Sequence, residues 1–190
     1  MMRIPKATIW RLCGLFGATA FLILYTIAMS LDDQYTFGEN YLSDLGVREG
    51  AWAFNSGLMI AGFFFVAFSI FGLRPALGKA LLGKLGTGLL VTSAILLINI
   101  GIFTEDAGDI HGIISVAFFL ETLVAIGVVD LALYRTRSLG LLGPVTSTAC
   151  FVFGLGLLPF GGTPLVETLA VLDIIAWGVP ISLMLTSKHD

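Results

Sequence analysis

Apolar residues in this chain fall into six long runs separated by short polar links. The runs cover about residues 12–31, 51–73, 85–103, 111–134, 141–160 and 165–186. Each is close to the roughly 20 residues a helix needs to cross about 30 Å of hydrocarbon. Inside lipid a backbone must satisfy its own N–H and C=O groups, which leaves helices or closed barrels. Barrel strands are only about 10 residues long and alternate apolar with polar positions, and these runs do not alternate. The pattern predicts an all-α polytopic membrane protein, a bundle of six transmembrane helices forming one domain over residues 1–190. The first run exceeds the roughly 7–15 apolar residues of a secretory signal core, so it is expected to be a retained helix.

Composition agrees with this reading. Of 190 residues, 57% are hydrophobic and 12% charged, with a mean hydropathy of +0.97. A soluble domain carries about 25% charge, and one this small has too much surface to hide the apolar excess. Cys13 and Cys150 both lie inside apolar runs and give neither a disulfide framework nor a metal spacing. No basic stripe interleaved with aromatics is present, which argues against a nucleic-acid partner.

Charge then orients the bundle. When the links are assigned alternately to two sides, Arg3, Lys6, Arg11, Arg74, Lys79, Lys84, Arg135, Arg137 and Lys188 fall on one side and Arg48 alone on the other. Cytoplasmic links carry the excess of Lys and Arg. The expectation is a multi-pass protein of the cell membrane with both termini cytoplasmic and the link at residues 32–50 outside.

Candidate chemistry concentrates between the third and fourth runs. Residues 101–112 read Gly-Ile-Phe-Thr-Glu-Asp-Ala-Gly-Asp-Ile-His-Gly, which places Glu105, Asp106, Asp109 and His111 at the outer surface. Ser43 and Asp44 join them from the first outer link, Asn55 and Asn99 from just inside the second and third helices, and Glu167 from the start of the sixth. A deeper pair follows at 1.5 Å per residue: Glu121 about 15 Å down the fourth helix and Asp173 about 12–13 Å down the sixth, a depth at which the two carboxyls can meet. An ionisable group in a membrane span is costly and marks a functional site by default.

Three readings follow. In the first, the outer layer is a lipid-facing site. Asn55, Asn99, Glu105, Asp109 and Glu167 hold a headgroup or ion, and His111 with Asp106 and Asp109 ligates a divalent cation that activates water. Alternatively, Ser43, His111 and Asp44 or Asp106 form a hydrolase-like triad, although no Gly-x-Ser-x-Gly elbow accompanies them. In the second, a small proton-coupled carrier uses Glu121 and Asp173 as its relay. In the third, the polar groups serve assembly with membrane lipids, a partner helix or a second copy. The bland alternatives are equally concrete. They read His111 as fixing its turn through a carbonyl or carboxylate, the asparagines as interhelical glue worth roughly 0.6–2 kcal/mol, and the deep carboxyls as partners of nearby hydroxyls such as Ser93 or Ser115. Asp130 is expected to be structural, near Arg135.

Several of these residues carry a family likeness. Tyr41-Leu-Ser-Asp-Leu-Gly46 before the second helix, Phe54-Asn55 inside it, and Gly101-x-Phe103 followed by acids and His111 resemble the membrane proteins catalogued as domain of unknown function 998. A looser likeness reaches the damage-regulated autophagy modulator family, which also has a Ser-Asp stretch before its second helix and a His opening its fourth. The topological resemblance covers about residues 10–186, the motifs about twenty residues. Thr104 stands where members of the first family often have Pro, so the turn is expected to differ. The resemblance implies six helices and the importance of Ser43, Asp44, Asn55, Asp106 and His111, and it implies no reaction.

Overall fold

The computed structural model describes residues 6–187. Arg3 and Lys188, counted above in the charge bias, lie outside them. The six apolar runs fold as α1 (Lys6–Leu31), α2 (Ala51–Ala67), α3 (Leu81–Ile102), α4 (Asp109–Thr136), α5 (Leu142–Leu157) and α6 (Pro164–Ser187). A π-helical turn, Phe68–Leu73, extends α2, and a 3-10 turn, Leu158–Phe160, extends α5. All six are long and apolar enough to cross a membrane, as the run lengths predict. α1 and α3 start several residues before their apolar runs, because helical hydrogen bonding continues past the hydrocarbon boundary into the Lys- and Arg-bearing flanks.

Helix ends follow local chemistry. Pro164 opens α6, where its missing N–H has no intrahelical role. Asp109 sits in the first turn of α4 and Arg135 in the last, each matching the helix dipole. Arg137, in the left-handed region at φ 52°, closes α4 by donating its N–H to the Leu133 carbonyl at 2.9 Å.

Neighbouring helices pack in chain order, and α6 closes the arrangement against α1. The links at residues 32–50, 103–108 and 158–163 lie on one face, which we call the acidic face. Those at 74–80 and 137–141 lie on the opposite, basic face. Two cores fill the ring. Phe68, Leu90, Ile126, Trp177 and Ile181 pack toward the basic face; Leu42, Leu45, Phe54, Leu58 and Phe118 pack toward the acidic face. Large apolar side chains also point outward, among them Phe63, 66% exposed, and Ile113, 69% exposed. An outward belt of this kind suits lipid, not water.

Because lipid is as apolar as leucine, close packing and interhelical hydrogen bonds hold such a bundle together. Trp177 is fully buried, and its Nε1–H donates to Ser147 Oγ on α5 at 3.0 Å. The Ser93 and Thr122 hydroxyls join α3 to α4, and Ser182 Oγ on α6 donates to the Arg11 carbonyl on α1. At several positions, Gly50 and Gly101 among them, only glycine fits against a neighbouring backbone. A Cβ at Gly50 would lie 2.6 Å from Ala28 Cα, and one at Gly101 would lie 2.7 Å from the Asn55 carbonyl oxygen.

Candidate functional site

A cavity of about 400 Å³ lies between α4, α5 and α6 at the acidic face. Its roof is the segment Tyr41–Gly46, which includes the 3-10 turn Ser43–Gly46. Tyr41, Ser43, Glu105, His111, Ser115, Thr163 and Glu167 surround the polar mouth. Val116, Phe119, Leu120, Leu123, Ile126, Leu157, Val166, Ala170 and Ile174 form the apolar body, and Asp173 is the acid deeper along its wall. The groups predicted for the outer layer therefore divide into those that reach this space and those that build its roof.

The roof is fastened on three sides. Tyr41 donates its hydroxyl to the Gly162 carbonyl at 2.6 Å, which ties the roof to the α5–α6 turn. Glu167 Oε2 accepts the Leu42 N–H at 2.7 Å, and the Glu167 carboxylate also accepts from the Ser43 backbone. Asn55 Nδ2 donates to the Gly46 carbonyl at 2.8 Å, which ties the roof to α2. Asn55 and Glu167, expected to hold a ligand, thus hold the protein's own loop; Glu167 also lines the cavity, whereas Asn55 does not. Asn99 bonds the Ile95 carbonyl of its own helix at 2.8 Å and also lies off the cavity wall.

Arg48, which stood alone in the charge count, is shared by two acids. Its Nη2 lies 3.2 Å from Asp44 Oδ2 and its Nη1 3.5 Å from Asp32 Oδ2. Glu105 sits beside Asp44. Burial first, and then the Asp44 charge, push the Glu105 carboxyl above its ordinary range. Glu105 Oε2 is enclosed without a hydrogen-bond partner among the described residues.

His111 opens α4 with both ring nitrogens engaged. Nδ1 lies 2.8 Å from the Phe103 carbonyl oxygen. A carbonyl only accepts, so Nδ1 carries a proton. In the neutral ring Nε2 is then the acceptor, and it faces the Ser115 hydroxyl at 3.3 Å. The group that orients His111 is a backbone carbonyl, where the triad reading expected an aspartate. Asp44 is engaged by Arg48, and Asp106 accepts from the Thr104 hydroxyl. Asp109 is exposed in the first turn of α4. Among the described residues, no group of three His, Cys, Asp or Glu side chains is placed to hold a metal ion. His111, Asp106 and Asp109 therefore do not come together as a cation site among the described residues: His111 and Asp106 are engaged by different local groups, and Asp109 is exposed.

The deep carboxyls also part company. Glu121, twelve residues into α4, bonds the Thr92 hydroxyl on α3. Asp173 faces α5, where it meets the Cys150 thiol, and a Cβ at Gly154 would lie 3.4 Å from its Oδ2. Asp173 lines the cavity and Glu121 does not. Their similar depth was legible from residue counts, but their azimuth was not. Asp130 accepts from the Thr148 hydroxyl on α5 at 2.7 Å, which joins α4 to α5. Sequence reasoning missed Tyr41, Thr163 and Arg48 as structural members of the site. Ser115 was within its reach, since it stands one helical turn from His111.

No curated protein matches the chain, and no solved structure does. Nothing matched extends the likeness to the damage-regulated autophagy modulators. The profile of the proteins of unknown function DUF998 matches residues 15–184, a span that takes in α2 to α5 whole, most of α1 and α6, the roof and the His111 turn. The chain belongs to the DUF998 family.

Proposed function

We propose that this multi-pass protein binds an amphipathic molecule in the cavity between α4, α5 and α6. The polar head lies at the mouth among Ser43, Glu105 and His111, and the apolar chain lies against Phe119, Leu123 and Ala170. One observation carries the reading: a single cavity joins a polar mouth at the acidic face to an apolar body running along three helices. Ligand sites are characteristically concave and mostly apolar, with a few placed polar groups that fix orientation. The excess of Lys and Arg in the links of the basic face supports reading this mouth as facing the outer side of a cell membrane, with both termini inside.

Thermal unfolding of the purified protein with added single-chain amphiphiles tests this. A ligand at about 100 times its Kd stabilises the folded state by about 2.7 kcal/mol. The native protein is expected to melt higher with ligand, and Ala170→Trp, which fills the apolar body, to lose that increase. An unchanged melting temperature in the native protein, or an equal increase in the variant, would remove the cavity as the binding site.

A further inference from the structure

We infer that the head of the molecule held in this cavity is a protonated primary amine, so that the ligand class is a long-chain amine. This rests on the amphiphile-binding reading above and adds the chemistry of the head. Besides Tyr41, the ionisable residues that line the cavity are Glu105, Glu167, Asp173 and His111; among the described residues no Lys or Arg lines it. Arg48, the nearby cation, is already paired with Asp44 and Asp32 and stands off the wall.

Acceptors outnumber donors at the mouth. His111 adds no free donor to the mouth: its Nδ1–H is spent on the Phe103 carbonyl, and in the neutral ring Nε2 faces the Ser115 hydroxyl. Glu105 contributes a carboxyl next to a second carboxylate, Asp44; Arg48 also acts on it, but the ion pairs of Arg48 are with Asp44 and Asp32. Ser43 is buried in the roof and also lines the wall. An ammonium head has three N–H donors and no acceptor, so it complements this set. A phosphate, sulfate or carboxylate head is the reverse. It would leave water for a wall without a fixed cation and would face Glu105 and Asp173. A quaternary ammonium carries the charge but has no N–H to donate. An alcohol has one donor and no charge.

The test uses full-length protein in phosphatidylcholine nanodiscs. Two photoreactive probes are compared, a C12 primary amine and a C12 alcohol, each with a diazirine near the chain end, and labelled peptides are mapped. Dodecylamine, dodecanol, dodecyltrimethylammonium and dodecyl sulfate then compete at matched bilayer concentrations. The amine probe is expected to label residues 111–126 of α4 and 154–174 across α5 and α6. Dodecylamine should displace it at a concentration about tenfold lower than the other three, the scale of one hydrogen bond to a charged group. Glu105→Gln should narrow that preference. Equal competition by dodecanol, dodecyltrimethylammonium or dodecyl sulfate would overturn the amine assignment and leave the cavity reading intact. If neither probe labels these helices, the cavity reading fails and the amine assignment fails with it. The competitor series on the native protein decides the matter even where Glu105→Gln does not fold.

Discussion

The Nδ1 of His111 lies 2.8 Å from the carbonyl oxygen of Phe103 across the turn between α3 and α4. This one bond satisfies a carbonyl at the end of α3, fixes the ring at the start of α4 and sets the tautomer. The neutral imidazole is expected to carry its proton on Nδ1, and nitrogen-15 shifts of histidine-labelled protein would read this directly. His111→Ala should lower stability by about 1 kcal/mol, the net worth of a typical hydrogen bond. A ring found with its proton on Nε2 in the neutral form would break the assignment.

The roof should depend on Asn55 more than on its sister amide. Asn55 bonds the buried Gly46 of the roof, whereas Asn99 bonds its own helix. Asn55→Ala leaves the Gly46 carbonyl without this partner, at a cost of about 1–3 kcal/mol. Amide exchange at Ser43–Gly46 should speed up in that variant and stay unchanged in Asn99→Ala. Equal exchange in both would mean that Asn55 does not anchor the roof.

Glu105 should make stability depend on acid. Its folded carboxyl is held above the ordinary value of 4.5 by burial and by Asp44. A group raised in this way favours the folded state below its unfolded value and loses that contribution as pH rises through the folded one. Glu105→Gln should therefore melt higher than the native protein at pH 7, and the difference should fade as pH falls below 4.5. Melting curves across that range check the sign, and a difference that grows in acid would contradict it.

The site arises where two local needs overlap. The same Glu167 that fastens Leu42 also stands at the cavity mouth, and the same Asp44 that pairs with Arg48 raises Glu105. Roof and mouth are thus built from one set of acids. A substitution at either will be felt in both, so binding measurements on Glu167 variants should be read together with exchange at the roof.

Run length and backbone chemistry alone determined the six helices of this protein and their order. A long apolar stretch in lipid has little choice but to satisfy its own backbone as a helix. Depth was legible for the same reason: rise per residue is constant, so Glu121 and Asp173 could be ranked from the acidic face by counting. Which way each side chain points around its helix depends on how neighbouring helices pack, and only the tertiary structure decided that. It sent Glu121 to Thr92 and Asp173 to the cavity, and it turned Asn55 to the roof and His111 to a carbonyl. The cavity itself was invisible in the sequence, because it is bounded by segments far apart along the chain. Tyr41 and Gly162, 121 positions apart, meet only when α5 and α6 come round beside the roof.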